Sequence, residues 1–137
     1  DPAVLEDLYS RFDGVTSYIH RILNILYSRT GDGQACSVDM VDPAIDFVVR
    51  LSSDTYESLF YQMPQKQRSV FLAIASDGKA VEVMSGSFVK RHSLVSASSV
   101  SSALKGLLDK DFITNDNGVY SVYDKFFQIW LSKRGLI

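Results

Sequence analysis

An Asn-Gly pair set among helix-periodic segments is the feature that most restricts this fold. Asn117-Gly118 lies between two short β-prone runs, Phe112-Ile113-Thr114 and Val119-Tyr120-Ser121-Val122. Asn and Gly accept the positive φ that tight hairpins require, so Asn115-Asp116-Asn117-Gly118 predicts a turn joining two strands. The segments before it read as helix. Val15, Tyr18, Ile19, Ile22, Leu23 and Leu26 recur at i, i+3, i+4 and i+7, the pattern of a helix burying one face. Val4, Leu5, Leu8 and Phe12 give the segment Pro2–Phe12 the same character.

The remaining elements follow from breakers and caps. Thr30-Gly31-Asp32-Gly33-Gln34 predicts a loop, and it is not a phosphate loop, because it follows a helix and no Lys follows it. Asp42-Pro43 predicts a helix start, Asp capping the free amides and Pro fitting the first turn, with Ala44, Phe47, Val48 and Leu51 inward. Ser53-Asp54 opens a fourth helix that turns Tyr56, Leu59 and Phe60 inward. Met63-Pro64 breaks the chain. A helix over 65–76 then carries Val70, Phe71, Ile74 and Ala75, and a loop over 77–84 leads to a short helix over 87–92. The segment 96–110 places Ala97, Val100, Ala103, Leu104, Leu107 and Leu108 on one face, and after the hairpin a last helix over 125–133 presents Phe126, Ile129 and Trp130. Three helices and then a hairpin is the order of a winged helix. The expected fold is mainly α: a helical lid-like bundle over 1–62, followed by a winged helix-turn-helix domain over 63–137 with one β-hairpin and a C-terminal helix.

Charge divides at the same place. Residues 1–62 hold 4 Lys/Arg against 10 Asp/Glu, and residues 63–137 hold 10 against 6, so a net −6 half precedes a net +4 half. The basic half is the candidate for a polyanion. Aromatic residues at 12% and regular apolar spacing exclude a disordered tail, and no run approaches the ~20 apolar residues that span a bilayer. Cys36 is the only cysteine, which excludes an internal disulfide and fits a cytoplasmic setting. The chain opens Asp1-Pro2 without Met, as expected of a piece of a larger protein.

Several ordered segments together resemble the C-terminal region of prokaryotic AAA-type ATPases of the archaeal-like group, relatives of the signalling ATPases. Phe12-Asp13-Gly14-Val15-Thr16 with Tyr18 resembles the start of the helical lid that follows the nucleotide-binding core. Gln67-Arg68 with Val70 and Phe71 resembles the first winged-helix segment, and Ser98-Ser99-Val100 with Ala103-Leu104 and Leu107 resembles the third helix. Tyr123-Asp124-Lys125-Phe126-Phe127 followed by Trp130-Leu131 is similar to the closing Asp-Pro-Phe-Phe and Trp-Leu signature, with Lys125 where the family usually has Pro. Thr16 likewise replaces the Pro of the Gly-x-Pro element that related lids place near adenine. The resemblance implies an upstream core that binds ATP and magnesium and hydrolyses ATP. No Gly-x-x-x-x-Gly-Lys-Ser/Thr occurs in this chain, so the fragment itself is expected to have no ATPase activity.

Each chemistry-bearing residue has a structural reading beside its functional one. Ser96, Ser98, Ser99, Ser101 and Ser102 crowd the start of the third winged-helix segment, where hydroxyls cap helices or hold phosphate. Ser98, Ser101, Ser102 and Lys105 fall on its outward side, and with Lys90 and Arg91 they form the candidate DNA-binding set. No Arg, Asn or Gln stands on that face to read bases, so contacts with duplex DNA would go mainly to phosphates. The hairpin tip offers Asp116 where a DNA-binding wing usually offers a cation. His20 and His92 lack partners at metal-ligand spacing, Asp42 and Asp46 read as cap and first-turn acids, and Cys36 lacks a base. Asp124 is expected to cap the last helix, and Phe126, Phe127 and Trp130 to fill the groove between the two modules. The sequence thus predicts no catalytic, cofactor or metal residue in this chain. The expected role is a regulatory element that couples the nucleotide state of the upstream core to a partner. The alternatives are a winged helix bound to double-stranded DNA, or a protein-docking scaffold built on the acidic half.

Overall fold

A computed structural model describes residues 2–31 and 33–137. Asp1 and Asp32, the latter expected in a loop, lie outside the described residues. The chain divides into two compact units, 1–52 and 53–137.

The first unit contains α1 (Pro2–Arg11), α2 (Thr16–Arg29), a 3-10 turn (Val38–Met40) and α3 (Val41–Leu51). The helical period read from sequence matches burial at Val4 and Leu8 on α1, Ile19, Ile22 and Leu26 on α2, and Ala44 and Val48 on α3, whereas Leu5 and Val15, read into the same stripes, are exposed. Gly14, at φ +71°, reverses the chain between α1 and α2, and a Cβ there would stand 2.8 Å from the Tyr9 ring. Two expectations fail on α3. Asp42 caps nothing, because the 3-10 turn runs directly into the helix at Val41 and the N-cap Met40 makes no side-chain bond. The Asp42 carboxylate instead accepts from Arg11 Nη1 at 2.7 Å, while Arg11 Nε donates to Asp7 at 3.0 Å. The Asp7 hydrogen bond, helped by Asp42 and opposed by partial burial, raises the pKa of the guanidinium. Leu51 is 64% exposed, since the inward stripe runs through Val41, Ala44, Ile45, Val48 and Val49. Phe47 is only half-buried and lies under the Arg29 guanidinium at 4.7 Å.

The second unit holds α4 (Ser53–Gln62), α5 (Gln65–Asp77), α6 (Gly86–Arg91), α7 (Ala97–Asp109), β1 (Ile113–Asp116), β2 (Val119–Val122) and α8 (Lys125–Lys133). Its boundary lies one helix earlier than the 62/63 division read from sequence, and the reason is aromatic packing. Tyr56 of α4 stacks on Phe127 at 4.7 Å and meets Trp130 at 6.2 Å, and Phe60 meets Trp130 at the same distance. Phe127 also packs on Phe71 of α5 at 5.2 Å. Phe126, Phe127 and Trp130 therefore fill the core of one unit rather than a groove between two. Polar bonds close the same seam. Asp124 caps α8, its Oδ1 accepting from Phe126 N at 2.9 Å and Phe127 N at 3.4 Å, while its Oδ2 accepts from the Tyr56 hydroxyl at 2.9 Å. Trp130 Nε1 donates to Ser53 Oγ at 3.0 Å. Arg68 Nη2 donates to the Tyr61 and Met63 carbonyls at the end of α4, both at 3.1 Å. Leu59, expected inward, lies on the exposed side of α4.

α5 and α7 pack along one another through Val70, Phe71 and Ile74 on one helix and Val100, Ala103, Leu104 and Leu107 on the other, all buried. Gly106 faces α5, where a Cβ would meet the end of the Gln67 side chain. The hairpin registers Asp116 opposite Val119, which leaves Asn117 and Gly118 as a two-residue turn at φ +52° and +87°. Positive φ at both central residues is the geometry whose twist matches the strands. The first strand consequently extends to Asp116, two residues further than the sequence reading placed it.

Candidate macromolecular interface

α7 is positioned from both ends. Ser96 Oγ accepts from Ser99 N at 3.1 Å, so the cap expected of this serine cluster is made by its first member. At the other end, β1 follows within four residues and the buried Ile113 returns the chain to the core. With Val100, Ala103, Leu104 and Leu107 buried, Ser98, Ser101, Ser102 and Lys105 are all exposed. These four sequence-predicted residues do share the outward side of one helix.

The wing is larger than the sequence reading allowed. Ala80 and Tyr120 exchange both backbone hydrogen bonds at 2.8 Å, so the loop before α6 contributes a third, one-residue strand beside β2. Nothing in the Lys79-Ala80-Val81 composition signals this, since a single bridge has no periodicity. At the wing tip Asp116 is exposed, and Asn115 Oδ1 accepts from Gly118 N at 2.8 Å. The tip presents an acid and backbone, with no cation among residues 115–118.

Residues 54–133, which run from α4 through the hairpin to α8, match a family model described as "Probable winged helix domain". The chain belongs to that family. The match begins at α4, as does the compact unit. No curated protein and no solved structure matches the chain. In this winged helix α7 holds the place of the helix that enters the major groove in DNA-binding members of the architecture, and the hairpin is the wing.

Electrostatics divide the candidate DNA-binding set. Lys90 and Lys105 are exposed and have no ion-pair partner among the described residues. Arg91 is committed elsewhere: its Nη2 lies 2.9 Å from Asp77 Oδ2 and its Nη1 3.4 Å from Oδ1, while His92 Nε2 lies 3.0 Å from the same Oδ1. His92, half-buried, also packs against the Phe88 ring at 4.6 Å. Asp77 ends α5, where a carboxylate opposes the helix dipole, so its two partners on the far side of the loop offset an unfavourable position. An acid in the last turn was the sequence signal for this cluster, although its partners lie 14 and 15 residues away. Elsewhere, Cys36 Sγ lies 3.0 Å from Thr30 Oγ1 and His20 is exposed. Among the described residues, no group of three or more His, Cys, Asp or Glu is placed to hold a metal ion. No helix among the described residues is long and apolar enough to cross a membrane.

Proposed function

We propose that the chain is a non-catalytic, protein-facing interaction module, and that it forms the C-terminal regulatory region of a cytoplasmic prokaryotic AAA-type ATPase. The observation that carries the protein-facing part is the chemistry of the outward side of α7. It offers three exposed hydroxyls, Ser98, Ser101 and Ser102, and one cation, Lys105, while the nearby Arg91 is already paired with Asp77. A duplex-binding surface gains its affinity by neutralising several phosphates, and this face with its acidic wing tip is poor in the means to do so. A protein contact needs no such cations, and its rim is polar and solvent-accessible as these hydroxyls are. The ATPase part rests on the resemblance of residues 12–18 and 123–131 to the lid and closing signatures. On that reading ATP and magnesium belong to an upstream core of ~200 residues, a common domain size. In this reading the winged helix passes the nucleotide state of that core to a partner.

Fluorescence anisotropy of a labelled duplex titrated with the full chain tests the protein-facing reading. The expected result is no saturable binding at about 50 mM salt. Micromolar binding that collapses toward about 200 mM salt would overturn it in favour of DNA. Lys90 and Lys105 support that second reading, and replacing either by Ala would then reduce the salt slope by about 0.9. For the parent enzyme, the upstream coding sequence should carry Gly-x-x-x-x-Gly-Lys-Ser/Thr after a strand.

A further inference from the structure

Where α5 begins, a cavity of about 190 Å³ opens against the turn from α6 to α7. Its floor is apolar: Val70 and Val100 are buried, Leu94 is half-buried, and Val95 stands at the mouth at 77% exposure. Its rim is polar, formed by Gln65, Ser69, Ser93 and Ser99 with Lys66. Lys66 is exposed, is the single charge in the lining, and has no ion-pair partner among the described residues. The space is smaller than the roughly 300–1,000 Å³ that small-molecule sites occupy, and it is about right for one large side chain. Val95 extends the apolar floor to the surface, where a second side chain could bury it.

We infer that this cavity is the anchor pocket of the interface, and that it takes one aliphatic or aromatic side chain of a partner segment whose neighbouring residues are carboxylates. The inference rests on the protein-facing reading and names the partner's chemistry. The apolar floor selects the anchor and excludes a hydrated ion. Lys66 selects the flanking charge, because the lining contains no acid to pair with it and none to attract a basic segment. The serine hydroxyls and the Gln65 amide supply rim hydrogen bonds that do not depend on sequence. The pocket lies beside the start of α7, next to the capped Ser96–Ser99 turn, so a bound segment would run onto the Ser98 side of that helix.

The test uses the full chain and a short fluorescein-labelled peptide with one Leu between two Asp, read by anisotropy. Controls replace the Leu by Ser or both Asp by Lys. The expected result is saturable binding of the Leu/Asp peptide, with about a tenfold loss for each control, the size of one anchor or one charge contact. Val95→Glu should abolish binding, whereas Lys66→Glu should reverse the preference toward the Lys-flanked peptide. That reversal keeps the test informative even if Val95→Glu perturbs folding. Equal binding of all three peptides, or retention of the Asp preference by Lys66→Glu, overturns the inference. Concentration-dependent dimerisation lost in Val95→Glu also overturns it, because the occupant would then be a second copy. Duplex binding in the anisotropy assay above, with no peptide binding, sinks the protein-facing reading itself; absence of both sinks the pocket alone.

Discussion

Removing the Asp124 carboxylate should unfasten two elements at once. In Asp124→Ala, α8 loses its cap, which costs about 1 kcal/mol within a range of roughly 0.5–2. The Tyr56 hydroxyl loses an acceptor at 2.9 Å, and a hydrogen bond to a charged group contributes about 1.5–3 kcal/mol. Because Asp124 is only partly buried, the lower part of that range applies, which gives a total of about 2–4 kcal/mol. Tyr56→Phe keeps the ring stacked on Phe127 and deletes only the hydroxyl, so it should cost about 1–2 kcal/mol. The double variant should be less destabilised than the sum of the two, by a coupling of about 1–2 kcal/mol.

Urea unfolding followed by tryptophan fluorescence makes this measurable despite the two-unit chain. Trp130 is the single tryptophan, is 2% exposed, and lies on α8 beside the seam, so the signal reports the winged-helix unit alone. Additivity of the two variants to within about 0.3–0.5 kcal/mol would refute the reasoning. It would mean that the hydroxyl–carboxylate bond contributes nothing in solution, and that stacking and the Trp130–Ser53 bond hold α4 on α8 without it.

Three further outcomes follow from the same geometry. A chain of residues 63–137 lacks α4 and leaves the Tyr56-facing sides of Phe127 and Trp130 in water, so it should bind a hydrophobic dye and unfold without a sharp transition, while 53–137 unfolds cooperatively by circular dichroism. Gly118→Ala meets no atom within 4 Å, yet it must hold φ +87°, and it should cost about 1–2 kcal/mol by urea titration from strain alone. Ser96→Ala removes the bond to Ser99 N and should lower stability by about 1 kcal/mol, with faster amide hydrogen exchange confined to the first turn of α7.

Local signals were strong where the physics is local. The periodicity of α2 and α7, the Asn117-Gly118 turn and the Asp124 cap each depend on residues within one or two turns of one another, and each is present as read. The Asp42 cap failed for a reason equally physical. An Asp-Pro pair has the composition of a helix start, but a 3-10 turn already delivered the chain in helical geometry, which left the carboxylate to Arg11. The division into units was less legible because charge changed sign at one place and packing at another. α4 is acidic like the half it was read into, with Asp54 and Glu57 and no Lys or Arg, but its buried Tyr56 and Phe60 belong to the core of the winged helix. Buried aromatic contacts, rather than net charge, decide which unit a helix joins, since surface charge contributes little to packing energy.

The candidate interface shows why counting cations along a chain misjudges a binding surface. Lys90 and Arg91 are neighbours in sequence and look equivalent as phosphate ligands, yet Arg91 is drawn into a pair with Asp77, 14 residues back, while Lys90 is left to solvent. A cation already paired to a carboxylate must break that pair before it can neutralise a phosphate, so Arg91 offers less to a polyanion than its neighbour Lys90. The cavity at the start of α5 illustrates the converse. Gln65, Lys66 and Val70 come from one helix, Ser93, Leu94 and Val95 from a turn, and Ser99 and Val100 from the next helix. No sequence spacing announces the pocket, which forms only because α5 and α7 pack together. A substitution that separates those helices, such as Gly106→Leu, should therefore weaken peptide binding at the pocket mouth without touching a single lining residue.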